Sequence, residues 1–166
     1  MANLVVTKKE QKDLNGMIGT LLSGEGQIGD LLAGRKVVIR GNYKFSRDGG
    51  LVSTINLKDV NGVDITLPAG LIVKDGLIVV KTALTSGGAA TIGCGIGSGA
   101  SVAVFKSAAA LTTVDAANET SLVIPVAANA ATAVVVAAAG LFTISIGTAA
   151  ITAGELDVFL DGYFRE

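Results

Sequence analysis

The chain has no histidine and no tryptophan, a single cysteine and only 2 prolines in 166 residues, and aromatic residues make up 4% of it. Each scarcity excludes a kind of chemistry. Without histidine the common zinc ligand sets cannot be assembled. With Cys94 alone there is no intramolecular disulfide framework, so stability has to come from packing and association. Cys94 lies in an apolar, glycine-rich stretch with no evident electropositive neighbour to favour its thiolate, which is the setting of a small core residue and not of a nucleophile. Sugar sites that work by stacking want exposed aromatic platforms. Here Tyr43, Phe45, Tyr163 and Phe164 fall where core or interface packing accounts for them.

Charge is nearly balanced but unevenly placed. Residues 1–81 carry 11 Lys+Arg against 8 Asp+Glu, and residues 82–166 carry 2 against 6. The basic excess is small, scattered over short segments and not interleaved with aromatics, so no nucleic-acid partner is expected. Met1-Ala2-Asn3 lacks the basic-then-apolar order of a secretory signal, and Lys8, Lys9 and Lys12 follow Leu4-Val5-Val6 instead of preceding an apolar run. The expectation is a protein made in the cytoplasm. No charge occurs between Glu119 and Glu155, which raises the question of a membrane helix. Pro125, Asn129, Gly140 and Gly147 interrupt that stretch, and Leu141-Phe142-Thr143-Ile144-Ser145-Ile146 alternates with the period of a strand, so no membrane partner is expected either.

Two sequence grammars meet near Gly34. Before it, Leu14, Met17, Ile18, Leu21 and Leu22 follow the spacing of one helical face. Thr7-Lys8-Lys9-Glu10 fits a capping box at the start of that helix, and Gly24 fits its stop. Gly16 and Gly19 weaken its interior by about 1 kcal/mol each relative to Ala, so the helix needs a partner surface. A second short turn, 27–32, carries Ile28, Leu31 and Leu32 and ends at Gly34.

After Gly34 the pattern is strands and turns. Strands are expected over 36–45, 51–57, 63–67, 71–82, 90–96, 101–106, 122–127, 132–136, 141–147 and 156–164, with turn chemistry at Asp48-Gly49-Gly50, Asn61-Gly62 and Ser86-Gly87-Gly88. Many short strands with few helices imply a mainly β chain, an antiparallel β-sandwich or jelly roll over 34–166, preceded by a helical N-terminal arm over 1–33. No repeat of fixed period is present.

The chemical motifs are weak. Gly93-Cys94-Gly95-Ile96-Gly97-Ser98-Gly99 superficially matches a phosphate-cradling loop. The strand-like Ser101-Val102-Ala103-Val104-Phe105 follows it where a dinucleotide fingerprint needs a helix. Alternate glycines fit better a strand that another backbone or side chain approaches closely. Asn118-Glu119-Thr120 matches a glycosylation acceptor but reads as a polar loop without a secretory signal. Strand alternation puts Glu155 and Asp157 on one face. With Asp161 they are the only carboxylate cluster late in the chain, and with no histidine and few aromatics beside them they read as a solvated face and not as a hydrolytic pair. No catalytic residue, cofactor or metal ligand is assigned, and the chain is expected not to be an enzyme.

The segment Thr82-Ala83-Leu84-Thr85-Ser86-Gly87-Gly88-Ala89-Ala90-Thr91-Ile92-Gly93 resembles a strand-turn-strand pattern of head decoration, or cement, proteins and related β-sandwich structural proteins of tailed phages. Ile151-Thr152-Ala153-Gly154-Glu155-Leu156-Asp157-Val158-Phe159-Leu160-Asp161-Gly162-Tyr163 resembles the closing turn and last strand of such proteins. The resemblance covers roughly the second half of the chain. It implies a virion structural protein on the capsid surface, a homotrimer that binds the major capsid protein lattice and clamps coat subunits against internal DNA pressure. A tail or fibre component, or a carbohydrate-binding module, is the alternative. The candidate interface is the apolar stripe of the arm: Leu14, Met17, Ile18, Leu21, Leu22, Ile28, Leu31 and Leu32. Burying each such side chain is worth roughly 1.5–3 kcal/mol, so the stripe should be covered by a neighbouring copy, by the coat lattice or by the chain's own sheet.

Overall fold

The computed structural model describes residues 36–97, 102–117, 120–122 and 133–164. The expected arm over 1–33, with all its candidate interface residues, lies outside the described residues, as do 123–127 of the expected 122–127 strand.

Alternation of side chains builds the first element, β1 (Lys36–Lys44). Val37, Ile39, Gly41 and Tyr43 face one way, and Lys36, Val38, Arg40, Asn42 and Lys44 the other. One helical turn, α1 (Phe45–Asp48), follows, and then β2 (Thr54–Asn56), β3 (Thr66–Leu67), β4 (Leu71–Ser86), β5 (Thr91–Ile96), β6 (Lys106–Ala110), β7 (Thr120–Leu122), β8 (Val134–Val135), β9 (Gly140–Gly147) and β10 (Ile151–Phe164). They form two antiparallel sheets. One runs β1-β10-β4-β7, with β8 also on β4, and the other β2-β9-β5-β6, with β3 also on β9. The chain is mainly β, as the turn spacing implied.

Inward side chains of both sheets meet in one cluster. Tyr43, Ile78, Val80, Leu156, Val158 and Leu160 come from the first sheet, and Ile92, Cys94, Phe142, Ile144 and Ile146 from the second. Phe142 meets Phe105 edge-on, with ring centroids 6.1 Å apart and planes at 75°. Gly41 makes the close approach possible, because a Cβ there would lie 2.8 Å from Leu57 Cβ and 2.9 Å from Phe142 Cε1. Tyr43 is fully buried, its hydroxyl donating to the Gly49 carbonyl at 2.7 Å. Burial, with the nearby Asp48 charge, pushes its hydroxyl up to about 12.

Several strand boundaries differ from expectation. The strand expected over 101–106 is displaced: Val102 and Ala103 form a 3-10 turn, and the pairing strand is Lys106–Ala110, with Ala109 opposite Ile92. The pull comes from Phe105, fully buried and tied by its N–H to the Cys94 carbonyl at 2.9 Å. Phe45 opens α1 instead of closing β1, since Asp48 Oδ2 accepts the Lys44 N–H at 2.9 Å and curls the chain. The stretch 51–57 narrows to three pairing residues, Thr54–Asn56. Conversely, β4 and β10 run longer than expected because they pair with each other along most of their length, through several β-bulges.

Candidate interaction surface

The outward face of β1-β10-β4 carries the densest polar chemistry. The register sets Arg40 opposite Phe159, Asn42 opposite Asp157 and Lys44 opposite Glu155 on one side of β10. On its other side Leu77 stands opposite Phe159 and Val79 opposite Asp157, with Lys81 close to both carboxylates. Glu155 and Asp157 do share a face, as strand alternation implied, but the face is not simply solvated.

Asp157 is only 4% exposed. Its Oδ2 accepts from Arg40 Nε at 3.0 Å and lies 2.8 Å from Arg40 Nη2 and 3.2 Å from Lys81 Nζ, while Oδ1 accepts from Asn42 Nδ2 at 2.9 Å. Glu155 is held by Lys81 at 3.2 Å, Lys44 at 3.5 Å and Asn42 at 3.3 Å. For both acids burial alone raises the carboxyl. The hydrogen bonds and cationic neighbours outweigh it, so both titrate below the ordinary carboxylate range. A polar pocket of about 220 Å³ opens beside them, lined by Arg40, Asn42, Arg47, Lys58, Lys81 and Glu155 among others. Its cations are already matched: Arg40 and Lys81 to Asp157, Arg47 to Asp48, and Lys58 to Asp64. Such a network fixes strand register.

The sign of its pH dependence follows. Carboxylates depressed by folding contribute stability that is full above their unfolded values and is lost as the pH falls through the folded ones. Thermal stability should therefore fall as the pH drops below the usual carboxylate range. Asp157→Ala should lower stability by about 1–2 kcal/mol at neutral pH, less than a fully buried pair because solvent reaches Arg40 and Lys81, and should flatten the acid limb of the profile. An unchanged acid limb in the variant would remove Asp157 from the account.

Toward the start of β1 the same face turns apolar. Val38 (61% exposed), Leu77 and Phe159 line a groove of about 300 Å³ with Asp75, Gly76 and Asp161 at its edge. The Arg40 guanidinium covers the Phe159 ring at 5.9 Å and separates groove from charge network. Local pattern could not reveal this surface, because Val38, Leu77 and Phe159 meet only through the register of distant strands.

Elsewhere, the first part of the glycine-rich stretch lies in β5 and Gly93 is closely approached, while Gly97 follows the strand at φ 61° with open space around it. A Cβ on Gly93 would meet Ser145 Oγ at 2.6 Å and the Lys106 carbonyl at 3.1 Å. Cys94 is fully buried, and burial pushes its thiol well above the ordinary value.

No family model matches the chain, and no curated protein matches it in sequence. Solved structures match in three dimensions. A chain in the acidic stable capsid structure of Helicobacter pylori bacteriophage KHP30 is 12% identical with a TM-score of 0.54, over 79% of this chain and 89% of that one. A chain of the cyanophage Pam1 capsid asymmetric unit is 16% identical with a TM-score of 0.54, over 99% and 94%. A chain in the capsid of Ralstonia phage GP4 is 18% identical with a TM-score of 0.52, over 81% and 86%. The fold is one found in phage capsids. The segments that resembled phage structural proteins map onto the end of β4, the turn and β5, and onto β10.

Proposed function

We propose that the chain is a non-enzymatic structural protein of a phage virion: a capsid decoration protein that binds the major capsid protein lattice from outside and stabilises the head. The observation that carries the reading is the fold it shares with chains from three different phage capsids, over most of the length of each. Glu155 and Asp157, the two carboxylates that strand alternation puts on one face, are held in ion pairs, which supports a mechanical role.

We read the two sheets as a jelly roll. With β2 and β3 taken as one interrupted strand along β9, and β7 and β8 as another along β4, the chain pairs first with last, second with next-to-last, and so inward to β5 with β6. That is the order of an antiparallel ribbon rolled up on itself, an architecture that viral capsid proteins use. Residues 34–166 form this domain and residues 1–33 the attachment arm. The apolar stripe Leu14, Met17, Ile18, Leu21, Leu22, Ile28, Leu31 and Leu32 is the surface proposed to meet neighbouring copies or the coat lattice.

Decoration proteins gain by repetition, since modest contacts on a symmetric lattice add through effective concentration. A homotrimer presents three arms at once. Light scattering on the purified chain should give the mass of a trimer, and the protein should bind DNA-filled or expanded heads. A monomer retained on a glycan array would point to a carbohydrate-binding module, and incorporation only into tails would point to a tail or fibre component; either would overturn the decoration reading.

A further inference from the structure

The first sheet ends in an open edge. β1 pairs with β10 along its whole length, and on its other side only Asn42 meets a bridging residue, Lys58. The Asn42 N–H donates to the Lys58 carbonyl at 2.8 Å and the Lys58 N–H to the Asn42 carbonyl at 3.1 Å, so the Asn42 backbone points away from β10. Backbone direction alternates along an antiparallel strand, and the register of β1 on β10 is continuous. Lys36, Val38 and Arg40 therefore also turn their N–H and C=O groups away from β10, and nothing among the described residues pairs with them there. Val38, between the two cations, is 61% exposed. The other edge strands of the two sheets are blunted by length, at two to five residues.

A strand is what covers such an edge, because extended backbone brings donors and acceptors at the matching spacing. Side chains decide whose strand it is. If β1 of a second copy added antiparallel, the register that pairs all three residues would set Val38 against its own copy and Lys36 against Arg40 at both ends. Like charges directly opposite are unfavourable. Lys36 and Arg40 each meet an acid of β10, yet their side chains stay 59% and 41% exposed. They turn away a second β1 and favour a strand that is apolar opposite Val38 and acidic two positions to either side. We propose that β1 accepts, along 36–40, an extended segment of the coat protein with that alternation, added as a further strand of the first sheet. The inference rests on the decoration reading. Lys58 already occupies the edge at Asn42, so pairing is confined to 36–40, and the contact supplements the arm without replacing it.

The test uses the full chain and expanded phage heads. Val38→Pro removes an outward N–H and leaves the pairing with β10, and proline is tolerated in an edge strand where its nitrogen faces away from the sheet. The variant should unfold at nearly the wild-type temperature and bind heads at least about tenfold more weakly, since a carbonyl of the partner strand loses its donor. Val38→Ala keeps the N–H and should lose clearly less. Hydrogen exchange of the wild-type chain needs no variant: the amides of Val38 and Arg40 should exchange fast in free protein and become protected on heads. Equal binding by a folded V38P, or amides that stay fast on heads, would overturn the proposal and leave the decoration reading standing. Amides already protected in isolated protein would overturn it by assigning the edge to the chain itself or to a second copy. A wild-type chain that does not bind heads would overturn both readings.

Discussion

Phe142→Ala should lower the unfolding free energy by about 3–5 kcal/mol, the largest single-residue effect expected in the described part of the chain. Phe142 is fully buried on β9, the strand that carries β2 and β3 on one edge and β5 on the other. Its N–H donates to the Ile65 carbonyl at 2.8 Å and its carbonyl accepts from Leu57 N at 2.8 Å, so the backbone around it is fixed. The ring reaches the space left by Gly41 in the opposite sheet and meets Phe105 edge-on. Truncation therefore leaves a cavity bounded by both sheets, which the rigid strands can refill only in part. Denaturant unfolding of the variant, with Phe105→Ala and the double variant, should show a coupling of about 0.5–1.5 kcal/mol for the ring pair. Leu51→Ala, at a residue 76% exposed, should stay within about 0.5 kcal/mol of wild type. A domain of this size has roughly 5–15 kcal/mol in total, so the Phe142 variant should lie near the edge of stability at 37 °C. A loss below about 1 kcal/mol would mean that the sheets are not joined through this ring.

In β9 the alternation of Phe142, Ile144 and Ile146 is plain in the sequence, and these residues do face the core. In β10 the run from Leu156 is equally plain. Thr152-Ala153-Gly154 before it has no such period, because Gly154 at φ 129° and adjacent bulges bend the strand there. The alanine run in β6 carries no contrast between faces, so the strand was expected too early, on the more hydrophobic Val102–Phe105. For the candidate surface, alternation was enough to put Glu155 and Asp157 together. It could not supply Arg40, Asn42 and Lys81, which lie 74–117 residues away and arrive only through the pairing of β1 and β4 with β10. Local periodicity encodes which way a side chain points. Which strand lies beside it depends on long-range pairing, and the groove of Val38, Leu77 and Phe159 depends on that alone.

The second large effect concerns the arm. Burying only three of Leu14, Met17, Ile18, Leu21 and Leu22 against a partner would contribute about 4.5 kcal/mol or more, on the order of a thousandfold in affinity per site. On a lattice this loss recurs at every arm of an oligomer, so removing the arm should abolish binding and not merely weaken it. The β domain has its own core among residues 36–164 and should keep a cooperative unfolding transition without the arm. The most direct test of the proposed role is co-sedimentation with expanded phage heads, comparing full-length protein with residues 34–166. Full-length protein should pellet at lattice stoichiometry while the folded truncation stays in the supernatant; a truncation that pellets at full occupancy, or a full-length chain that does not pellet with heads at all, would contradict it.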